Sequence, residues 1–258
     1  GKWHMGDCHH SQKSYTFWKA HARAGGSYMN APMVKDEREI ELTDRYVTDV
    51  ITDNAIEFLE QAPELAATDP LDWSMSLAFH YKSVEGWEGA AHYLGKAGDV
   101  LLDMYDYPAA IAQYELGRDL MSDNGFDAAN MTFSSVTTRL LVALRESGRV
   151  DDAVNLLDEM GDLSYVPHEL HATVLLERGR LGIHTSDPEQ AIASLERVRD
   201  MAMQNRNIKL EVQALLALAQ IFEAQNQLTH AGSLLVEVSQ KVEQLQGLNL
   251  QDPEDRKL

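Results

Sequence analysis

A short pattern recurs along the later part of this chain, and its spacing leaves few folds open. It reads Asp106-Tyr107-Pro108-Ala109-Ala110-Ile111-Ala112-Gln113-Tyr114, then Gly148-Arg149-Val150-Asp151-Asp152-Ala153-Val154-Asn155-Leu156-Leu157. It returns as Ser186-Asp187-Pro188-Glu189-Gln190-Ala191-Ile192-Ala193-Ser194-Leu195 and, more loosely, from Asn226 to Leu235. The aligned alanines Ala110, Ala153, Ala191 and Ala231 stand 43, 38 and 40 residues apart. A unit of that length is one helical hairpin, which cannot bury its apolar face alone. Units must therefore stack, and about three are needed to enclose a continuous core.

Within each unit the pattern describes a turn and then a helix. Pro or Asp falls in the first helical turn, where a missing N–H is harmless and a negative charge meets the positive end of the helix dipole. Ala191, Ile192, Leu195 and Val198 draw one apolar stripe at helical spacing. The small Ala lets a neighbouring helix come close, and the larger residues fill the space beside it. Between the motifs lie first helices such as Leu210 to Gln225, apolar on more than one face, as a helix held between neighbours must be. These units resemble tetratricopeptide (TPR) repeats in their longer form of about 40 residues. The family's Leu-Gly position is met at Leu94-Gly95, and Gly232 stands where a large residue is usual. The resemblance implies a mainly α, TPR-like superhelix that acts as an interaction scaffold. Its concave face would bind a protein or peptide, and it would need no cofactor. Tyr105, Tyr107, Tyr114, Phe126 and Phe133 are candidates to line such a groove, although aromatic residues at helical spacing in repeats more often belong to the core.

Charge narrows the partner class. The net charge is −19, yet residues 1 to 35 hold five Lys or Arg against one Asp, so the acidity lies in the body that follows. An acidic body argues against nucleic acid, whose binding depends on Lys and Arg meeting phosphates. A single Cys excludes an internal disulfide and a cysteine zinc cluster, which favours a cytoplasmic setting. No run approaches the ~18 apolar residues of a membrane span, and no signal peptide is visible. The expectation is therefore a chain with no membrane partner.

The other marked feature opens the chain: Gly1-Lys2-Trp3-His4-Met5-Gly6, continuing through Gln12-Lys13, Trp18, Gly25-Gly26, Tyr28 and Asn30-Ala31-Pro32-Met33. A second block follows, Tyr46-Val47-Thr48-Asp49-Val50-Ile51-Thr52-Asp53-Asn54-Ala55-Ile56-Glu57-Phe58-Leu59. Together they resemble the sulfatase family, the alkaline-phosphatase-like sulfuric ester hydrolases, over residues 1 to 60 and faintly to Trp87. The resemblance implies that Lys2 donates to sulfate oxygens and His4 to the formylglycine or its ester, the kind of donors that stabilise a developing oxyanion. It also implies a nucleophile in a Cys/Ser-x-Pro-x-Arg motif before this block and a metal-binding Asp-Asp pair near the family's N-terminus, and this chain holds neither there. Cys8 lies after the block with no Pro-x-Arg behind it. In the segment from His80 to Trp87, Glu85 falls where the family has a sulfate-contacting His. A divalent cation such as calcium belongs here only with a complete sulfatase site.

The segment reading is then a sulfatase-like piece at 1–63 (loop plus one helix), a linker or extra helix at 64–86, repeats at 87–246 and a polar tail at 247–258. Residues 1 to 36 are expected to be mostly loop and the first helix to run from Leu42 to Ala62, stopped by Pro63. Met75 to Tyr81, a strand in an intact sulfatase, has no other strand candidate to pair with and is expected to be helix or coil. Ser122-Asp123-Asn124-Gly125 matches the family's metal motif in wording, but Asn-Gly at a helix end reads as a turn. His4, His9, His10 and His21 fit no closed zinc spacing. The chain reads as a TPR-like scaffold with an incomplete sulfatase-family segment. The alternatives are a sulfatase fragment whose nucleophile lies upstream of residue 1, and a structural fusion with no selected activity.

Overall fold

The computed structural model describes residues 19–21, 33–35, 38–40, 46–161, 165–184 and 188–249. Strands β1 (Lys19–His21), β2 (Met33–Lys35) and β3 (Arg38–Ile40) form an antiparallel sheet in the order β1-β2-β3, with Ala20 opposite Val34 and Val34 opposite Glu39. The opening segment, expected to be mostly loop and offering no strand candidate in its sequence, thus contains short strands. Runs of three residues are too short to show an alternating pattern, and β2 gains stability from burial, with Met33 3% and Val34 0% exposed.

Everything else among the described residues is helical or a turn between helices. Helices α1 (Val47–Glu60), α2 (Pro63–Thr68) and α3 (Pro70–Ser83) precede four hairpins. The first helices of the hairpins are α4 (Trp87–Asp103), α6 (Met131–Glu146), α8 (His168–Leu181) and α10 (Ile208–Ala224). Their second helices are α5 (Tyr107–Asp123), α7 (Val150–Met160), α9 (Pro188–Gln204) and α11 (Leu228–Asn249). The four motif alanines fall on the second helices and are 0, 0, 2 and 6% exposed, which is the close approach that their size permits. The fold is the mainly α repeat stack that the periodicity requires.

Boundaries differ from expectation at two places, Pro63 and Gly247. Helix α1 ends at Glu60, and Pro63 does not stop it but opens α2, where the missing N–H has no intrahelical partner to lose. Met75 to Tyr81 is helix within α3, capped by Asp69, whose carboxylate accepts from the Asp72 N–H at 3.0 Å. Leu77 and Ala78 of α3 share a cluster with Ile56 of α1 and with Tyr93 and Leu94 of α4, so helical stacking is under way before Trp87. At the other end α11 passes Gly247 and reaches Asn249.

One kind of turn closes most of the longer helices. After α3, α4, α5, α6, α9 and α10 the second residue beyond the helix is left-handed: Glu85, Tyr105, Gly125, Gly148, Arg206 and Asn226, with φ from 53 to 82°. In each case the following N–H bonds back to a carbonyl of the last helical turn, as from Asp106 to the Leu101 carbonyl (2.9 Å) and from Asn207 to the Ala202 carbonyl (2.8 Å). The left-handed residue itself donates to the carbonyl three before it, as Tyr105 does to Leu102 at 2.9 Å. This is the Schellman arrangement, which satisfies carbonyls the helix end would otherwise strand. Ser122-Asp123-Asn124-Gly125 is such a turn at the end of α5, and Glu85 holds the same position after α3. A side chain at positive φ costs about 1–2 kcal/mol, part of which is offset by the lower unfolded-state entropy of a non-glycine. Arg206→Gly should therefore stabilise by roughly 0.5–1 kcal/mol, and Gly148→Ala, whose Cβ would meet nothing within 4 Å, should destabilise by about 1 kcal/mol. Urea unfolding curves of the two variants are the check.

Candidate binding groove on the inner helices

The first helices touch one another in series, α4 with α6, α6 with α8 and α8 with α10, while the second helices have no comparable contacts among themselves. The stack therefore curves with the first helices on its inner side. Their shared face carries polar and charged side chains, because the apolar residues are used in three clusters between the layers.

A depression of about 280 Å³ lies where α4, α6 and α8 meet. Leu102, Val142 and Leu170 supply aliphatic wall, Ser135 and Thr173 supply hydroxyls, and Asp99, Arg139 and Tyr114 form the charged side. The Tyr114 hydroxyl donates to Asp99 Oδ1 at 2.8 Å, and Arg139 Nη1 lies 3.5 Å from Asp99 Oδ2. Two glycines of α4 make this possible. A Cβ on Gly98 would lie 2.4 Å from the Tyr114 ring, and one on Gly95 would lie 2.6 Å from Arg139 Nη1. Hydrogen at Gly98 is what lets the rigid Tyr114 ring cross α4, and at Gly95 the flexible end of Arg139 rests over the backbone. Burial, followed by the charge and hydrogen bond of Asp99, pushes the Tyr114 phenol well above its ordinary range, so it remains a donor. Of the five aromatic groove candidates, Tyr114 alone is placed at this depression; Tyr105 is 78% exposed on its turn.

Further pairs hold the inner helices in register. Glu88 of α4 accepts from Asn130 Nδ2 at 3.2 Å and Thr132 Oγ1 at 3.1 Å, at the start of α6. Glu177 of α8, 1% exposed, is clasped by Arg145 of α6 and by Arg180 Nη1 at 2.7 Å. Burial alone would lower the Arg145 pKa, but Glu177 and Glu146 outweigh it and hold the guanidinium charged. A second depression, about 410 Å³, lies by the turn between α9 and α10, where Lys241 Nζ spans the Glu211 carboxylate at 2.8 and 3.0 Å. Sequence reasoning missed Asp99, Arg139 and Glu177. The available signal was glycine in the interior of a helix, at Gly95 and Gly98, where it weakens the helix unless something must come close.

Lys2 and His4 lie outside the described residues, as do Cys8, His9 and His10. Among the described residues no group of three or more His, Cys, Asp or Glu is placed to hold a metal ion, and no helix is long and apolar enough to cross a membrane.

The fold has counterparts among solved structures. The chain is similar to the TPR-like repeats assigned to a kinesin light chain of Podosopora anserina, in a singly substituted form with TM-score 0.57 and 14% identity, covering 78% of this chain and 99% of that one. The form without that substitution gives 0.55 and 14%, over 77% and 98%. BtubC (BKLC) from P. vanneervenii gives 0.52 and 14%, over 79% and 94%. At this identity the likeness establishes the fold, a TPR-like helical repeat. No protein-family model and no curated protein sequence matches the chain.

His92 offers a test of the groove's electrostatics. Burial, then Lys96 and Arg139, lower its pKa, so the folded state disfavours the protonated ring while the unfolded chain accepts a proton near pH 6.5. Stability linked to His92 is then complete above about pH 6.5 and lost as pH falls through the lowered folded value. His92→Gln should narrow the difference between urea midpoints measured at about pH 7.5 and about pH 5.

Proposed function

We propose that this chain is a protein-interaction scaffold whose inner face holds a segment of a partner protein carrying basic side chains. The observation that carries the reading is the unbroken row α4, α6, α8 and α10, with a depression of about 280 Å³ and a polar lining. The likeness to TPR-like repeat structures supports it at the level of fold. Charge selects the partner's chemistry. Glu88, Asp99, Asp103 and Glu146 stand on the inner helices of a chain with net charge −19, while Leu102, Val142 and Leu170 can cover the methylene stem of a Lys or Arg. The net negative charge of the chain also speeds encounter with a cationic segment, an effect that salt suppresses.

In this reading the Gly1-to-Gly6 block, with Lys2 and His4, is a mark of sulfatase ancestry without hydrolase activity of its own. Release of a phenol from an aryl sulfate by the purified chain would contradict that part.

The scaffold reading is tested by fluorescence anisotropy with labelled Arg- and Lys-containing peptides. Binding should weaken with added salt. Asp99→Asn, which keeps an acceptor for Tyr114, and Asp103→Asn should each lower affinity by roughly two- to fivefold, corresponding to about 0.4–1 kcal/mol. Flat titrations across the peptide panel, together with an affinity capture that returns no partner, would overturn it.

A further inference from the structure

Helix α11 presents a surface unlike that of the other second helices. Four positions beyond the motif alanine stand Tyr114, Leu157 and Leu195 in the first three units, 0, 6 and 0% exposed, because each lies between layers. The same position in α11 is Leu235, 50% exposed, with Val236 beside it at 60% and Leu228 at 63% on the first turn of the same helix. Between them Gly232, in place of a larger residue, would meet nothing within 4 Å if it carried a Cβ. The repeat's own packing surface thus continues onto α11 and has no covering helix among the described residues.

What could cover it follows from charge. The exposed faces of the other second helices are acidic on balance: Glu115, Asp119 and Asp123 on α5, Asp151, Asp152, Asp158 and Glu159 on α7, Glu189, Glu196 and Asp200 on α9. The exposed residues of α11 from Leu228 to Gln240 include no Asp, Glu, Lys or Arg. Of the charges that α11 carries, Glu237 pairs with Arg199 at 2.7 Å and Lys241 with Glu211 at 2.8 Å, and the exposed Glu243 lies about two turns beyond Leu235, past the apolar stretch. A basic partner would gain nothing here. Two copies of a chain with net charge −19, by contrast, repel over most of their surface and can meet only where that charge is absent. We infer that α11 is a self-association face: two copies pack α11 against α11 in antiparallel fashion about a two-fold axis, with Gly232 and Ser233 allowing the backbones to approach and Leu228, Leu235 and Val236 filling the seam. A two-fold arrangement needs one self-complementary patch, and an uncharged apolar stripe is self-complementary. One helix per copy gives an interface at the small end of the range, so the dimer should be reversible and dependent on concentration.

Sedimentation equilibrium of the full chain is the test. The average mass should rise with concentration from 28.9 kDa toward twice that value. Leu235→Glu and Leu235→Lys should each be monomeric with the helical circular dichroism and thermal transition of the parent, since the side chain is half exposed, and an equimolar mixture of the two should recover the dimer. Val236→Glu provides an independent variant at a more exposed position. A parent chain that stays monomeric at its highest soluble concentration overturns the inference. A dimer that survives Leu235→Glu and Val236→Glu unchanged also overturns it.

Discussion

Most layers of this protein are oriented by two backbone hydrogen bonds at the end of a helix. When the residue beyond the cap turns left-handed, the next N–H returns to a carbonyl of the last turn, and the chain leaves in a fixed direction. After α3, α4, α6 and α9 that next residue, Gly86, Asp106, Arg149 or Asn207, is also the N-cap of the following helix. Helix end and helix start share one residue, so little freedom is left in the angle between neighbours. The side-chain layers then need only fill a gap whose shape the backbone has set. Ala110, Ala153, Ala191 and Ala231 do so where helices approach closely, and Leu141, Leu181, Leu195 and Leu215, each 0% exposed, do so between them.

The polar groups of the inner face depend on that geometry. Asp99 reaches Tyr114 and Arg139 because α5 and α6 are set against α4 at glycine positions, and Glu177 is matched by arginines from two helices. A buried carboxylate is costly unless it is paired and hydrogen-bonded, so these groups hold the inner helices to one register more than they add net stability. The same row of helices offers a curved polar surface, and the proposed recognition of a basic segment uses the carboxylates that stand on it.

Legibility in the sequence varied with the kind of interaction. Ala, an adjacent apolar residue and another four positions on were visible because they repeat, and they located α5, α7, α9 and α11. Pro or Asp at the start of the second helices and the Asn-Gly turn at Asn124 were visible because those residue types carry a local mechanism. Glu85, Tyr105, Arg206 and Asn226 were not: the same left-handed turn is imposed on them by neighbouring helices, and only Gly125 and Gly148 announce it by composition. The three-residue strands were equally invisible, being shorter than one alternating period can show. Pro63 was misread because a proline ends a helix or begins one according to what precedes it, and α1 had already closed.

By itself, then, the amino-acid order determined the number of hairpins, the faces they bury and the acidity of the body, since those properties follow from local periodicity and summed charge. Tertiary structure alone decided which helices line the inner face, that Gly95 and Gly98 are spaces for Arg139 and Tyr114, and that Leu235 is exposed while Leu195 is not. The reason is physical: two residues with the same local pattern differ only in whether another layer is set against them, and that is a property of the stack, which no single segment contains.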